Sequence, residues 1–440
     1  VVSGQIERDH IGLERGMLHE IKGQIETIKP ITKHQKLILD PVEIPEAVHE
    51  AFEQLQTGRP RPVQIEIPPE TLSDTADIEL LEAGKYERPV ASKESVSRGI
   101  DLISNAKNPL IWAGGGVISG EASKELTSLA EFLQAPVIAT GEGRGAISDR
   151  SYLSIGSFRF KNDTFFENKI QDYDLVVAVG TRLLNNQQLT GQKVLQIDID
   201  DEEIGRNYDN TEGINGDAKK TLTEILNGLK SVMPPRESRE EELTKIKAER
   251  FNPGTVIEPQ ESFTKVIRSV MPDDGIFISG MTQIGYYSRN KFEVYEPRTY
   301  ITSSYYGNLG YAYPTALGAK VAQPDKAVVA VCGDGGFMFN VQELATAAKH
   351  HINVVAVVFN DSAYGNVMRD QVNMFDGREY GAEVHNPDFM KLAEAFGVRG
   401  VRVEGGAPEL GKAVQESLGI EAPTLIEVPV GPMPNPFRDY

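Results

Sequence analysis

Val328-Val329-Ala330-Val331-Cys332-Gly333-Asp334-Gly335-Gly336, then a helical stretch, then Asn353-Val354-Val355-Ala356-Val357-Val358-Phe359-Asn360-Asp361, is the part of the sequence whose reading decides the fold. Each end of it is a short apolar, β-branched run, the pattern of strands buried on both faces of a parallel sheet. A strand that runs through a glycine turn into a helix is how such a sheet delivers a phosphate site to the carboxyl ends of its strands. Asn340 is expected to cap a helix over 341–350, with Glu343 at its third position as in a capping box. Asp334 and Asp361 then project from adjacent strand ends. Two carboxylates beside a glycine turn can hold a hard divalent cation such as Mg²⁺, which prefers oxygen ligands and keeps phosphate oxygens and water in its shell. The plainer alternative is an ordinary doubly wound sheet in which the glycines make the turn and the aspartates are solvated.

The 440 residues suffice for two or three domains with full cores. A composition of 40% hydrophobic and 25% charged residues is that of an ordinary globular chain. No run approaches the length of a membrane span, and the first five residues do not read as a signal peptide. The formal net charge of −19 argues against nucleic acid or an anionic membrane as a partner, since both need basic patches. One cysteine, Cys332, excludes an internal disulfide framework and a cysteine-based zinc site, and a cytoplasmic setting is expected. In its apolar strand it reads as a small buried hydrophobe.

The chain starts at Val1 rather than Met, in what reads as strand and loop, so an upstream portion is expected to be missing. Residues 1–70 carry a helical stretch at 45–56 and the strand Val63-Gln64-Ile65-Glu66-Ile67, too little to be expected to close a core. Residues 71–91 are polar and acidic, as in a linker. Residues 92–232 read as an α/β unit with a helix at 92–105 and strands at 109–112, 136–139, 175–179 and 194–199. Its Gly114-Gly115-Gly116 lacks the dinucleotide spacing and reads as a tight strand-to-helix turn, while Asp198, Asp200 and Asp217 are left open as ribose contacts. The charged, proline-led stretch 233–252 is expected to be a second linker. Residues 253–440 form the last unit. In it a strand at 275–279 ends in Gly280-Met281-Thr282-Gln283, and Tyr305-Tyr306-Gly307-Asn308-Leu309-Gly310 precedes a helix at 314–321, so three strand ends are expected to converge on one crevice.

Gly333-Asp334-Gly335 followed by Asn360-Asp361 resembles the thiamine diphosphate motif, and the chain as a whole resembles the thiamine diphosphate enzymes that act on 2-oxo acids. Within them it is most similar to the large catalytic subunit of acetohydroxyacid (acetolactate) synthase. The likeness runs through Ser3-Gly4-Gln5, Ile31-Thr32-Lys33-His34, Thr57-Gly58-Arg59-Pro60, Ile197-Asp198-Ile199-Asp200, Gly310 to Pro314 and Asn386-Pro387-Asp388-Phe389-Met390. The resemblance implies a three-domain α/β architecture of parallel sheets flanked by helices. Residues 1–70 would be the C-terminal remnant of a pyrimidine-binding domain, 92–232 the central domain, and 253–440 the diphosphate- and Mg-binding domain. It further implies Asp334, Asp361 and the backbone carbonyl of Ala363 as Mg²⁺ ligands, with Gly335, Gly336, Met281 and Thr282 at the diphosphate. Ser362, Ala363, Tyr364, Gly365 and Asn366 would run along the cofactor. Leu309, beside Gly307 and Asn308, would wedge under its V-shaped conformation. The family usually has Asn where Asp361 stands, and Asp retains an oxygen ligand there.

Cofactor chemistry dominates in such enzymes, the protein supplying orientation and electrostatics. Decarboxylation and carboligation of 2-oxo acids, acetolactate synthase-like, is therefore the implied activity. A non-oxidative decarboxylase releasing an aldehyde and a non-catalytic cofactor-binding protein are the alternatives. The family's activating glutamate lies upstream of the matched Gly4-Gln5, so it is absent from this chain, which is expected to be weakly active or inactive as it stands. Five positions after Gly365, where acetohydroxyacid synthases carry a tryptophan at the substrate channel, this chain has Asp370. Gly180-Thr181-Arg182 does not decide whether the central domain holds FAD, ADP or nothing. The implied partners are a small 2-oxo acid and further copies of the chain, as a homodimer or homotetramer; a regulatory subunit is left unknown.

Overall fold

The computed structural model describes residues 1–158, 163–184 and 189–437. They form a mixed α/β protein divided into two compact units. One holds residues 1–91 with 199–201 and 215–217; the other holds 92–198, 202–214 and 218–440.

The smaller unit is built on a parallel sheet of β1 (Val2–Gly4), β2 (His34–Leu37) and β3 (Val63–Ile67) in the order β1-β3-β2. Alternation along β3 sends Val63 and Ile65 to one face, where they meet Ile38 and Ala47 and Ala51 of the helix Ile44–Gln56. A small core therefore forms where none was expected. The other face of β3 is polar: Gln64 Nε2 donates to Ser3 Oγ at 2.9 Å, and Gln5 Nε2 donates to the Glu66 carboxylate. Two returning segments bring acids to this unit, where Arg61 pairs with Asp200 at 3.7 Å and Arg88 with Asp217 at 3.2 Å.

The larger unit contains two six-stranded sheets. The first comprises β4 (Pro109–Ala113), β5 (Val137–Ala139), β6 (Ser154–Ser157), β7 (Leu175–Val179), β8 (Lys193–Asp198) and β9 (Thr211–Asn215), in the order β6-β5-β4-β7-β8-β9. Gly114 and Gly116 lie hard against Gly180; a side-chain carbon at Gly114 would fall 2.1 Å from the Gly180 carbonyl oxygen. These glycines let a helix start close against a strand end. The stretch 233–252, expected as a linker, is mostly the helix Glu240–Arg250, with Leu243 and Arg250 buried. Its Arg250 guanidinium meets Asp163 Oδ2 at 2.8 Å, with both side chains almost fully enclosed.

The second sheet comprises β10 (Ile276–Ser279), β11 (Tyr300–Thr302), β12 (Val328–Gly333), β13 (Val355–Asn360), β14 (Arg399–Arg402) and β15 (Thr424–Pro429). Its order is β11-β10-β12-β13-β15-β14, and every neighbouring pair is parallel. Along β12, Val328, Ala330 and Cys332 enter one apolar layer and Val329 and Val331 the other, so helices cover both faces. The helix expected over 341–350 begins at Glu343, and Asn340 is not its cap. Its Nδ2 instead donates to the Gly310 carbonyl at 2.7 Å, tying this turn to the segment that carries Leu309.

Candidate active site

In the second sheet β11 lies on one side of β10, and β12 and β13 on the other. Loops leaving β10 and β12 therefore diverge, and an open α/β sheet forms its ligand crevice outside the strand ends at such a switch. β12 passes through Gly333 directly into the short helix Asp334–Met338, which makes Asp334 the first helical residue and leaves it 1% exposed. Asn386 holds it from behind: its Nδ2 donates to Asp334 Oδ2 at 2.6 Å and to Asn360 Oδ1 at 2.9 Å. Asn360 donates in turn to Glu427 Oε1 at 2.8 Å, and the other oxygen of Glu427 accepts from Arg402 Nε at 2.8 Å. This line of bonds fixes the ends of β12, β13 and β15 relative to one another.

Asp361 follows β13 and is half-buried. Burial, together with the charge of the adjacent Asp334, pushes its carboxyl up to about 6. Ser362 comes next with φ of 54°, a left-handed backbone that a non-glycine residue adopts only when its surroundings hold it. They do so here. Val384 N–H donates to the Ser362 carbonyl at 2.9 Å and Tyr364 N–H to the Ala382 carbonyl at 2.8 Å, framing an antiparallel bridge between Ala363 and Glu383. In that pattern the backbone groups of Ala363 turn away from the partner segment, and its N–H reaches Asp361 Oδ1 at 3.3 Å. The Ala363 carbonyl lies on the same side.

The remaining residues singled out by sequence come together around this point. Leu309 lies beside Gly336, Met281 beside Gly307, and Thr282 beside Gly333. Tyr364 packs over Gly335, where a side-chain carbon would fall 2.6 Å from the ring. At Gly365 the same carbon would fall 2.5 Å from Asp361 Oδ2, so a larger residue there would displace that carboxylate. Asn308 and Ser362 are exposed at the rim. Three residues to which the sequence assigned no role also belong here: Asn386, Gln283 and Arg369. Gln283, 6% exposed, accepts a bond from Arg369 Nη1 at 2.9 Å, and Arg369 Nη2 donates to Asn366 Oδ1. Asn386 sits in a segment quoted for its resemblance, which was the one signal available for it.

Among the described residues no three His, Cys, Asp or Glu side chains gather closely enough to hold a metal by themselves. The donor set is two mutually repelling carboxylates and a nearby backbone carbonyl, all oxygen. That fits Mg²⁺, which is commonly bound by one or two carboxylates with phosphate oxygens and water completing the shell. At Gly336 a side-chain carbon would meet nothing nearer than Leu309 at 3.7 Å, so there the bare backbone is open to a ligand.

Known proteins carry the same pattern. Residues 280–428 match the family described as "Thiamine pyrophosphate enzyme, C-terminal TPP binding domain", and residues 96–225 match "Thiamine pyrophosphate enzyme, central domain". The chain is 32% identical to a probable acetolactate synthase large subunit of Methanococcus aeolicus, over 92% of this chain and 72% of that protein. It is 31% identical to the acetolactate synthase large subunit of Corynebacterium glutamicum, over 98% of this chain and 72% of that one. A probable 2-ketoarginine decarboxylase of Pseudomonas aeruginosa is 29% identical over 97% of this chain and 77% of its own length. With matched domains across both sheets of the larger unit and relatives aligned over nearly all of its length, the chain belongs to the thiamine pyrophosphate enzyme family.

Proposed function

We propose that this protein binds thiamine diphosphate through Mg²⁺ and decarboxylates 2-oxo acids, joining the product to a second carbonyl in the manner of an acetolactate synthase. The observation that carries this reading is the meeting of Asp334 and Asp361 at the ends of the adjacent parallel strands β12 and β13, close enough for the charge of one to act on the other, beside Gly335 and Gly365. Asp334, Asp361 and the Ala363 carbonyl would hold the cation, Asn386 keeping the Asp334 carboxylate aimed. Gly335 and Gly336 would admit the diphosphate, with Met281 and Thr282 at its side, and Leu309 would support the bend between the cofactor's rings. When bound, thiamine diphosphate supplies the nucleophile and the electron sink that 2-oxo acid decarboxylation needs. The protein's own part is to hold and orient.

A second reading, decarboxylation with release of an aldehyde, is favoured by the likeness to the 2-ketoarginine decarboxylase and by Asp370 at the channel position. Product analysis from pyruvate separates the two, acetolactate marking the first and acetaldehyde the second. The binding assignment is tested by calorimetric titration of thiamine diphosphate with Mg²⁺ into the parent protein, D334A and D361A. Loss of a carboxylate leaves a near-octahedral cation short of a ligand, so affinity is expected to fall in both variants. Unchanged affinity in both would sink the assignment.

A further inference from the structure

The helix Gly365–Met374 starts against Asp361 yet buries none of its residues, and it shows Val367, Val372 and Met374 to solvent. Such a helix lies on the surface rather than filling a core. Arg369 sits about one helical turn beyond Gly365, roughly 6 Å along the axis, and is half-buried. Its guanidinium is steered by two neutral acceptors, the enclosed Gln283 amide at 2.9 Å and Asn366 Oδ1. Among the described residues no carboxylate lies within ion-pair distance of it, though the charge of Asp370 acts on it. A guanidinium offers five N–H donors, of which these two bonds use two. Its burial lowers its pKa, and the charge of Asp370 offsets only part of that cost. Arg289, Arg369 and Asp370 all act on the Tyr286 phenol, so two cations and one carboxylate stand near this ring. Asp370 is exposed, and successive helix residues do not share a face.

We propose that Arg369 recognises a carboxylate that the substrate keeps through the reaction, so that the site favours 2-oxo acids bearing a second, distal acid group. The proposal rests on the reading of this crevice as a site for 2-oxo acids. The diphosphate is an unsuitable match, because Mg²⁺ and the 335–336 turn answer its charge in that reading and Arg369 lies beyond Gly365. The carboxylate next to the 2-oxo carbon is also unsuitable. It loses its charge as CO₂ departs, and a cation gripping it would stabilise the ground state more than the transition state. A distal carboxylate keeps its charge throughout, so gripping it improves binding without impeding the chemistry. The bidentate fork of arginine suits that task.

The test is calorimetry on protein holding Mg²⁺ and thiamine thiazolone diphosphate, an analogue blocked at C2, with three acids: 2-oxoglutarate, uncharged-tail 2-oxopentanoate and cationic-tail 5-guanidino-2-oxopentanoate. The parent is expected to bind 2-oxoglutarate about tenfold or more tightly than 2-oxopentanoate, in line with a hydrogen bond to a charged group, and the guanidino acid weakest. R369Q should erase the gap, its loss falling far more heavily on 2-oxoglutarate than on 2-oxopentanoate, and R369K should restore part of it. No preference in the parent, preference for the guanidino acid, or an equal loss for all three acids in R369Q would each overturn the proposal. If the analogue itself fails to bind the parent, the cofactor reading falls with it; if it binds and only the acid preference is missing, this inference alone falls.

Discussion

Asn386 shows how much of a site can hang on one amide. Asp334 is enclosed, and Asn386 supplies its side-chain hydrogen bond at 2.6 Å while reaching Asn360 with the same nitrogen. Partners standing behind metal-binding groups fix their orientation, and losing one typically costs 10–100-fold in affinity. N386L should therefore weaken binding of thiamine diphosphate with Mg²⁺ by about 10–100-fold while leaving the circular dichroism spectrum unchanged; affinity equal to the parent's would show that Asp334 needs no such support. The two aspartates could be picked from the sequence because each follows an apolar strand and one stands among glycines. Asn386 and Arg369 could not be assigned that way. Their partners lie 52 and 86 residues distant, and neither hydropathy nor spacing records which amide faces which charge across a folded chain.

The elements were legible in proportion to how strongly burial shaped their sequence. β12 and β13 are enclosed on both faces and read as unbroken Val/Ala runs. β14 is an edge strand, Arg-Gly-Val-Arg, with half of its positions exposed, and nothing in its pattern announces a strand. The helix Glu240–Arg250 lies in a stretch whose sequence reads as a linker because it is polar nearly all round, with Leu243 its one buried apolar side chain. Its anchors are mainly polar, the Arg250–Asp163 ion pair and Lys247 Nζ donating to the Ser151 carbonyl at 2.9 Å, with Ile246 packed on the core beside Leu243. Removing one partner of an enclosed pair strands the other charge, so R250M should lower the unfolding free energy by about 3–5 kcal/mol, measured by urea denaturation. A loss well under 1 kcal/mol would mean that water reaches Asp163 and that Leu243 carries the docking.

At the scale of the molecule, no helix among the described residues is long and apolar enough to cross a membrane. The smaller unit nevertheless shows a row of apolar side chains, Val48, Phe52 and Leu55, along the outer side of the helix Ile44–Gln56. Exposed apolar stripes of this kind mark surfaces that associate. We therefore predict at least a homodimer, joined over an extensive apolar interface. Light scattering at micromolar concentration should return twice the chain mass or more, and a stable, folded monomer would count against it. The division into units carries a further consequence. The smaller one is not a continuous length of chain, because Asp200 and Asp217 return to meet Arg61 and Arg88. Expressing residues 1–91 alone would strip both arginines of these counter-charges. Produced side by side as two polypeptides, the halves would keep every one of these contacts, which makes the stretch 71–91 a natural break-point for split-protein complementation.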